Sequence, residues 1–418
     1  MLALWNILIN LAWPLLIFYR PFRGTLRRRL GHFTLQRYDP AAPGPRVLIN
    51  AVSAGEVVAI TSFVHALRRR HPDAQIALLT TTESGQTMAR DKLGELVDLL
   101  TYFPLIDLPF VVRRYLARLK PQLYVTTEAE VWPNIQNACL RRDVPVALVN
   151  ARLYLHNKRG LRGWAMRKLY DYCSLIVCQD ERQRENFLTF GLPEERLEVS
   201  GNIKFDFDLP HWSEAFLAEV RQKYGVDGVP VVVAGSTHEH EDELVVLAFK
   251  RVREKHPQAR LIIAPRHLER VWAAQCRAAE EDYRVIQLGE HEQGVDWDVL
   301  VIDRYGVLTD FYRLADAVVM GGTFHPRVGG HNVLEATILG KPVIVGPHVY
   351  SITQQVEMLR DAGALVTALD ANALGAALEY LLSNPFRATA TGEKARQATL
   401  ANRGAATRAV DAILKLLN

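Results

Sequence analysis

Residues 46–81 read RVLINAVSAGEVVAITSFVHALRRRHPDAQIALLTT, and the fold expected for the chain follows from their pattern. Residues 47–52 form a short, mostly apolar run, residues 57–70 have helical periodicity, and residues 75–81 form a second apolar run. Short apolar strands that alternate with amphipathic helices are typical of a parallel sheet covered on both faces. The stretch therefore predicts a strand, a helix and a second strand of an α/β domain.

The same alternation continues on both sides of an interruption near residues 206–228. Further strands are predicted at residues 123–126, 146–150, 174–178, 231–234, 261–264, 299–302, 317–320 and 343–345. We therefore expect two Rossmann-like domains, at residues 31–207 and 208–418, that face each other across a cleft. Because ligands bind beyond the carboxyl ends of the strands in such sheets, candidate residues are sought there.

The amino-terminal segment differs from the rest of the chain. Residues 1–19 are apolar apart from Asn6 and Asn10, which is about the 20 residues needed to cross a bilayer core, and arginines follow at positions 20, 23, 27, 28 and 29. Positive charge after an apolar segment favours a cytoplasmic location for the remaining chain and suits anionic headgroups. Residues 1–30 are predicted to be a membrane-associated helix, either spanning or monotopic. A buried helix of a soluble domain is the alternative.

The composition excludes several classes of function. The net charge of +4 is too small to indicate nucleic-acid binding. The four cysteines form no C-x-x-C pair, and His238 and His240 lack further ligands at metal-like spacing, so no metal is expected. The nucleotide motifs G-x-G-x-x-G and G-x-x-x-x-G-K-[ST] are absent, which argues against NAD and P-loop sites.

Two acidic motifs follow predicted strands of the first domain. Glu56 ends Ser-Ala-Gly-Glu at the start of a helix, where it is either a general base or simply a favourable first-turn acid. Glu128 and Glu130 lie two residues apart before Trp132, and like charges held together indicate a site. One capping acid and one solvated acid are the alternative. Lys204, near the domain boundary, is suited to a phosphate or carboxylate, although alone it is better interpreted as solvated.

The second domain carries a glycine-rich segment at residues 321–348. The glycine pair at 321–322 ends a predicted strand, and the pair at 329–330 opens a predicted helix. Such a loop lets backbone N–H groups hold a phosphate. Glu335, in the first helical turn, is suited to ribose hydroxyls. Arg266, after another strand, has the planar donors that bind phosphate. A set of independent glycine turns without a ligand is the alternative.

Taken together, these motifs resemble the Kdo transferases of lipopolysaccharide synthesis over nearly the whole chain. The matching segments are residues 53–56, 128–134, 150–153, 201–206, 236–239, 265–267 and 321–348, with the amino-terminal apolar segment. The resemblance implies the GT-B fold and transfer of Kdo from CMP-Kdo to lipid IVA. It also implies a location at the inner membrane with the catalytic domains on the cytoplasmic side. CMP-Kdo, lipid IVA and a membrane surface are thus the expected partners, without nucleic acid and without a cofactor besides the donor.

The resemblance also implies roles for individual residues. Glu56 would be the base of an inverting single displacement, and Glu128 and Lys204 would stabilise the transition state. The CMP site would comprise Pro265, Arg266, Tyr305, Gly306, Asn332, Val333, Leu334 and Glu335. Residues 152–172 mix basic and aromatic side chains, which suits either a phosphorylated lipid or an ordinary cationic helix.

One segment departs from the pattern of the family. Where the family shows Asp-Thr-x-Gly-Glu-Leu, this chain has Asp303-Arg304-Tyr305-Gly306-Val307-Leu308, so Val307 replaces an acid. The departure leaves two alternatives open. One is a GT-B glycosyltransferase with another nucleotide sugar and lipid acceptor, and the other is a non-catalytic, membrane-bound binder of nucleotide or lipid.

Overall fold

The computed structural model describes residues 24–153 and 160–417, together with Asn6, Ile9, Asn10 and Trp13. Most of the predicted membrane-associated helix, residues 1–30, therefore lies outside the described residues. In the part of the chain that is described, no helix combines the length and the apolar character needed to cross a membrane.

The chain divides into two units, Met1–Asp208 with Asn402–Asn418 and Leu209–Ala401. The strands of the first unit are β1 (Arg46–Asn50), β2 (Gln75–Thr80), β3 (Leu99–Tyr102), β4 (Leu123–Thr127), β5 (Val146–Ala151), β6 (Leu175–Cys178) and β7 (Leu197–Val199). They form one parallel sheet in the order β3-β2-β1-β4-β5-β6-β7.

Helices follow the strands of this sheet and bury its two faces. They are α1 (Leu26–Arg29), α2 (Ala54–Arg70), α3 (Glu83–Leu93), α4 (Pro109–Leu119), α5 (Pro133–Leu140), α6 (Gly160–Tyr170) and α7 (Glu181–Thr189). Alternate strand residues enter opposite cores, as the two-residue period of a strand requires: Leu48 belongs to one cluster, and Val47 and Ile49 belong to the other. Local signals begin some helices, as when the Asp180 carboxylate accepts the Gln183 N–H at the start of α7.

The second unit repeats this architecture. Its strands are β8 (Val231–Thr237), β9 (Arg260–Pro265), β10 (Val285–Gln287), β11 (Val299–Val301), β12 (Ala317–Met320), β13 (Val343–Val345) and β14 (Val366–Thr367), parallel in the order β10-β11-β9-β8-β12-β13-β14. Its helices are α8 (Glu214–Lys223), α9 (Glu241–Lys255), α10 (Val271–Ala279), α11 (Leu308–Leu314), α12 (Leu334–Thr337), α13 (Thr353–Asp361), α14 (Ala371–Ser383) and α15 (Pro385–Ala401). The prediction of two parallel α/β domains is confirmed.

The last helix, α16 (Ala405–Leu414), belongs to the first unit. The Asp206 carboxylate accepts the N–H groups of Gly404 and Ala406 at 2.6 and 2.5 Å, which fixes the start of the helix. Its apolar face then enters the core beside α2. The sequence prediction assigned residues 402–418 to the second domain, because a helical pattern does not say which sheet it covers.

Candidate active site

Glu56 lies in the first turn of α2, just beyond the carboxyl end of β1. Its Oε2 accepts the Val52 N–H at 2.5 Å and the Thr127 hydroxyl at 3.5 Å. The bond to Val52 resembles the reach of a capping-box acid toward the chain before its helix. No described residue donates a hydrogen bond to Oε1. Glu56 is therefore both a helix-start acid and a carboxylate with one oxygen left for a substrate.

The surroundings of Glu56 make its carboxylate a better base than an exposed glutamate. Burial raises its pKa to about 7, and the charges of Glu130 and Glu128 act in the same direction. Burial likewise raises the pKa of Glu130, with the charge of Glu128 adding to the effect. A pKa near neutrality is the value that suits general-base catalysis near neutral pH.

Glu128 follows β4 and lies between two cations. Its Oε1 is 2.6 Å from the Lys204 ammonium, and its Oε2 is 2.6 Å from the Arg152 guanidinium. The Glu128 side chain is only 9% exposed, whereas those of Lys204 and Arg152 are 37% and 36% exposed. The pairing satisfies a buried carboxylate, and it leaves both cations accessible to an anionic ligand.

The backbone around Lys204 is held by two asparagines. The Asn150 amide oxygen, at the end of β5, accepts the Ile203 N–H at 3.1 Å. The Asn202 amide oxygen accepts the Lys204 N–H at 3.0 Å within a short 3-10 turn. Lys204 is thereby brought from the end of the first unit's sheet to Glu128, more than seventy positions earlier in the chain. The structure thus gathers the three residues predicted to be catalytic.

The glycine-rich loop of the second unit already surrounds a carboxylate of the protein. Glu241, 2% exposed in the first turn of α9, accepts the N–H groups of Gly322 at 2.7 Å and His238 at 2.8 Å with one oxygen. Its other oxygen accepts the Phe324 N–H at 2.9 Å. The prediction that this part of the loop holds a phosphate therefore needs correction, because Glu241 occupies these donors.

Close approach of backbone segments explains the glycines at the strand ends. A Cβ at Gly321 would lie 2.1 Å from the Ser236 oxygen, and one at Gly346 would lie 2.4 Å from the Thr323 oxygen. Both positions therefore require glycine whether or not a ligand binds. The alternative interpretation, in which the glycines serve backbone packing and bind no ligand, thus accounts for part of residues 321–348.

A cluster of histidines lies beside Arg266, which follows β9. The rings of His238 and His331 are stacked, with centroids 5.0 Å apart and Nε2 atoms 2.7 Å apart. Burial, followed by nearby positive groups that include Arg266, lowers the pKa of both histidines to about 4. Both rings are therefore neutral at neutral pH, and the Nε2–H of one donates a hydrogen bond to Nε2 of the other. Among the described residues, no His, Cys, Asp or Glu side chains form a group of three or more that could hold a metal ion.

The remaining predicted donor residues contribute in different ways. Val333 and Leu334 are fully buried, so neither presents its side chain to a ligand. Helix α12 spans four residues, and the Asn332 amide oxygen accepts the Leu334 N–H at 3.1 Å, which leaves little helix dipole for a phosphate. Glu335 is half-buried and accepts a hydrogen bond from the Thr309 hydroxyl at 2.9 Å. Pro265, in turn, ends β9 next to Arg266.

The segment that departs from the family pattern is open to solvent on one side. Tyr305 is 62% exposed, and Gly306 has φ +87° with no atom within 4 Å of an added Cβ. Val307 lines a cavity of about 360 Å³ whose other walls include Trp212, Lys223 and Arg304. Because apolar and charged side chains both line the cavity, nothing in the structure explains the replacement of the acid by valine.

The sequence predicted Glu56, Glu128 and Lys204 but not the contacts between Glu128 and its two cations. Arg152 was placed in a segment matched to the family and in a basic, aromatic run, without a role of its own. Its contact with Glu128 joins two strand ends that are separate in the chain. Of that run, residues 154–159 lie outside the described residues. Glu241 was also missed, because its bond to the His238 N–H has no capping-box signal in the sequence, where a histidine stands in place of the required Ser or Thr.

Comparison with known proteins gives the same family for both the amino-terminal half and the whole chain. Residues 24–207 match the family model described as 3-deoxy-D-manno-octulosonic-acid transferase (kdotransferase), and residues 220–398 match the glycosyl transferases group 1 model. The 3-deoxy-D-manno-octulosonic acid transferase of Bordetella pertussis is 34% identical over 385 residues, which cover 90% of this chain and 88% of the relative. That of Haemophilus influenzae is 29% identical over 395 residues, covering 93% and 91%.

A solved structure supports the fold independently of this sequence similarity. A glycosyltransferase from Rickettsia africae is 15% identical, covers 89% of this chain and 98% of its own, and has a TM-score of 0.61. At that identity the likeness concerns the fold alone, which is GT-B-like with two parallel α/β domains.

Proposed function

The chain belongs to the 3-deoxy-D-manno-octulosonic-acid (Kdo) transferase family, and we propose that it transfers Kdo from CMP-Kdo to lipid IVA with Glu56 as general base. It is a glycosyltransferase of lipopolysaccharide synthesis. The observation that carries the mechanism is the half-buried Glu56 carboxylate, whose pKa is raised to about 7 beside two further acids.

In the proposed reaction Glu56 accepts the proton of the acceptor hydroxyl. The hydroxyl oxygen forms a bond to the anomeric carbon of Kdo, the bond from that carbon to the phosphate of CMP breaks, and CMP leaves with the electron pair. A single displacement of this kind inverts the configuration and needs one base. Oε1 of Glu56 is the atom we assign to proton transfer.

We assign stabilisation of the transition state to Glu128 and Lys204. The carboxylate suits the positive charge that develops on a sugar ring during displacement. The Lys204 and Arg152 cations, each paired with Glu128 at 2.6 Å, suit the carboxylate that distinguishes Kdo from neutral sugars. The Glu128 carboxylate and its two cations hold one another in place before substrate binds. Such preorganisation is what electrostatic catalysis requires.

In the second unit we assign the phosphate of CMP to Arg266 and the nucleoside to the segment around residues 332–335. The guanidinium follows the carboxyl end of β9, where ligands bind in sheets of this kind. A monophosphate carries less charge than a diphosphate, so one arginine and neighbouring backbone groups suffice without a metal. Tyr305 and Gly306, exposed and open, are assigned backbone contacts to the donor.

We also propose that the enzyme attaches to the cytoplasmic face of the inner membrane. Support comes from the first unit, where Arg27, Arg28, Arg113 and Arg114 are exposed. The ring of Phe110, itself 38% exposed, lies 6.1 Å from that of Trp13 in the amino-terminal segment. Cationic side chains beside exposed aromatic groups suit an interface with anionic lipids.

The rate should depend on pH through Glu56. Because the base acts only when deprotonated, kcat/KM should fall about tenfold per unit as the pH decreases below about 7, and it should level off above that value. Replacing Glu130 by Gln removes a charge that raises the pKa of Glu56, so the same inflection should move to lower pH. Initial rates across this range provide the measurement. A profile without an inflection near neutrality would exclude Glu56 as the base.

A panel of donors tests the identity of the sugar nucleotide. With lipid IVA as acceptor, CMP-Kdo should be turned over, with release of CMP, while UDP-sugars should give no product. Preferential turnover of a UDP-sugar would instead favour the related glycosyltransferase that Val307 suggests. CMP binding without turnover on any acceptor would favour a non-catalytic binder.

A further inference from the structure

Asn6, one of two polar residues in the apolar amino-terminal run, contacts the start of α5, which follows the loop that carries Glu128 and Glu130. Its amide oxygen accepts a hydrogen bond from the Asn134 side-chain NH₂ at 2.7 Å. The same NH₂ group donates to the backbone oxygen of Asp107 at 2.8 Å. Asn134 is 5% exposed and lies at the start of α5, directly after the loop of Glu128 and Glu130.

Asp107 holds the start of α5 from the other side. Its fully buried carboxylate accepts the N–H groups of Asn134 at 2.7 Å and Ile135 at 3.0 Å. Burial raises the pKa of Asp107 to about 8, and the two N–H donors oppose that shift. Asp107 and Asn134 thus form one buried polar unit. The Asn134 NH₂ group has two N–H donors, and Asn6 accepts the one that Asp107 does not.

The backbone on both sides of this unit is strained. Ile106 has φ 39° and Asp107 has φ 61°, and Glu128 itself has φ 56°. Residues other than glycine adopt such conformations only where their surroundings hold them, and these positions cluster at functional sites. The ring of Trp132, which precedes α5, lies 4.6 Å from that of Phe103 and closes the same loop.

The amino-terminal segment meets the first unit along one helical face. Ile9 is 6% exposed within the core cluster that also contains Leu105 and Ile135, and Trp13 packs against the same cluster. Asn6, Ile9 and Trp13 are helical and follow the spacing of one face. Asn10 is exposed, and among the described residues its side chain donates to the Asn6 backbone oxygen alone, at 2.7 Å.

We infer that Asn6 is a positioning residue, which acts through Asn134 and Asp107 to hold the loop of Glu128 and Glu130 in its catalytic conformation. The inference rests on the proposed function and deepens it, because it gives the amino-terminal segment a role in catalysis besides membrane attachment. Loss of the Asn6 oxygen leaves a buried N–H donor of Asn134 unpaired. It also removes one contact that restrains the strained loop.

Kinetics of Asn6→Ala, with Asn10→Ala as the matched control, test this role. Asn6→Ala should lower kcat about five- to tenfold with little change in KM. It should also move the acid limb of the pH profile, because the charges of Glu130 and Glu128 add to the effect of burial on the pKa of Glu56. Asn10→Ala should stay within about twofold of the wild type, since it removes a single exposed hydrogen bond. Asn6→Gln, which keeps an amide oxygen, should recover part of the loss. Equal losses in Asn6→Ala and Asn10→Ala would overturn the inference.

A double-mutant cycle tests whether Asn6 acts through Asn134. In an Asn134→Ala background, Asn6→Ala should cause no further loss of kcat, because the contact is already absent. Independent, additive losses would contradict the proposed route.

Flotation with vesicles containing anionic phosphatidylglycerol separates positioning from membrane attachment, and it should be the same for the wild type and each variant. Wild-type protein that stays in the dense fraction would contradict membrane attachment, and a variant that alone fails to float would reduce Asn6 to an attachment residue.

Hydrogen exchange separates this inference from the transfer activity itself. In Asn6→Ala, the amides of Asn134 and Ile135 should exchange several-fold faster than in Asn10→Ala, while both variants remain folded and unfold cooperatively on heating. The measurement requires no substrate, so it tests the coupling of Asn6 to α5 even if CMP-Kdo proves not to be the donor. Unchanged exchange at α5 would overturn the coupling, whatever the kinetics show.

Discussion

Replacing Glu56 by Gln should reduce kcat by about a hundredfold to ten-thousandfold, the range that general-base catalysis contributes. Glutamine keeps the size of the side chain and an oxygen that can accept the Val52 N–H, but it cannot take a proton from the acceptor. Steady-state rates with CMP-Kdo and lipid IVA give the measurement, and CMP affinity should be unchanged, since the nucleotide groups belong to the other unit.

Glu83→Gln is the matched control for this experiment. Glu83 is also a first-turn acid of a helix that follows a strand of the same sheet, but it is exposed. The control variant should keep wild-type turnover. Substantial turnover by Glu56→Gln would remove Glu56 as the base, and a similar loss in both variants would indicate damage to the sheet edge instead.

Replacing Lys204 by Met should lower kcat by about a hundredfold to a thousandfold, the effect seen when one preorganised electrostatic donor is removed. The change keeps the length of the side chain, removes its charge, and leaves the buried Glu128 carboxylate with Arg152 as its partner. Steady-state kinetics give kcat, and thermal unfolding shows whether the remaining pair still supports the fold.

The control for Lys204 is Lys415→Met. Lys415 also pairs with a glutamate of the first unit, Glu198, but its side chain is 66% exposed. A surface pair contributes at most about 1 kcal/mol, so neither activity nor stability should change much. Wild-type kcat in Lys204→Met would exclude a role for its charge in the transition state.

The sequence predicted the interior of the fold well because buried strands are continuously apolar. Residues 317–320 and 343–345 were predicted with the bounds observed for β12 and β13. Four strands were missed, namely β3, β7, β10 and β14. All four are terminal strands of their sheets. In β10 burial is partial and the apolar signal is weak, because its residues are all half-buried. Strand β3 is buried throughout, but Thr101 and Tyr102 interrupt its apolar signal.

The sequence could predict those residues of the candidate site that directly follow the end of a strand. Glu56, Glu128 and Arg266 each come directly after a predicted strand or at a helix start, so topology alone places them at the carboxyl edge of their own sheets. Contacts between distant segments carry no such signal. The clearest case is Glu241: glycines 321–322 and 329–330 suggested an empty anion cradle, whereas a buried carboxylate of α9 already accepts hydrogen bonds from this loop.

The most direct test of Kdo transfer is the mass of the lipid product after incubation of the enzyme with CMP-Kdo and lipid IVA, with Glu56→Gln in parallel. The wild-type reaction should yield lipid IVA heavier by one or more whole Kdo residues together with free CMP, and the variant reaction should leave the lipid unchanged. Unmodified lipid IVA in the wild-type reaction, from folded protein that binds CMP, would contradict the proposed function.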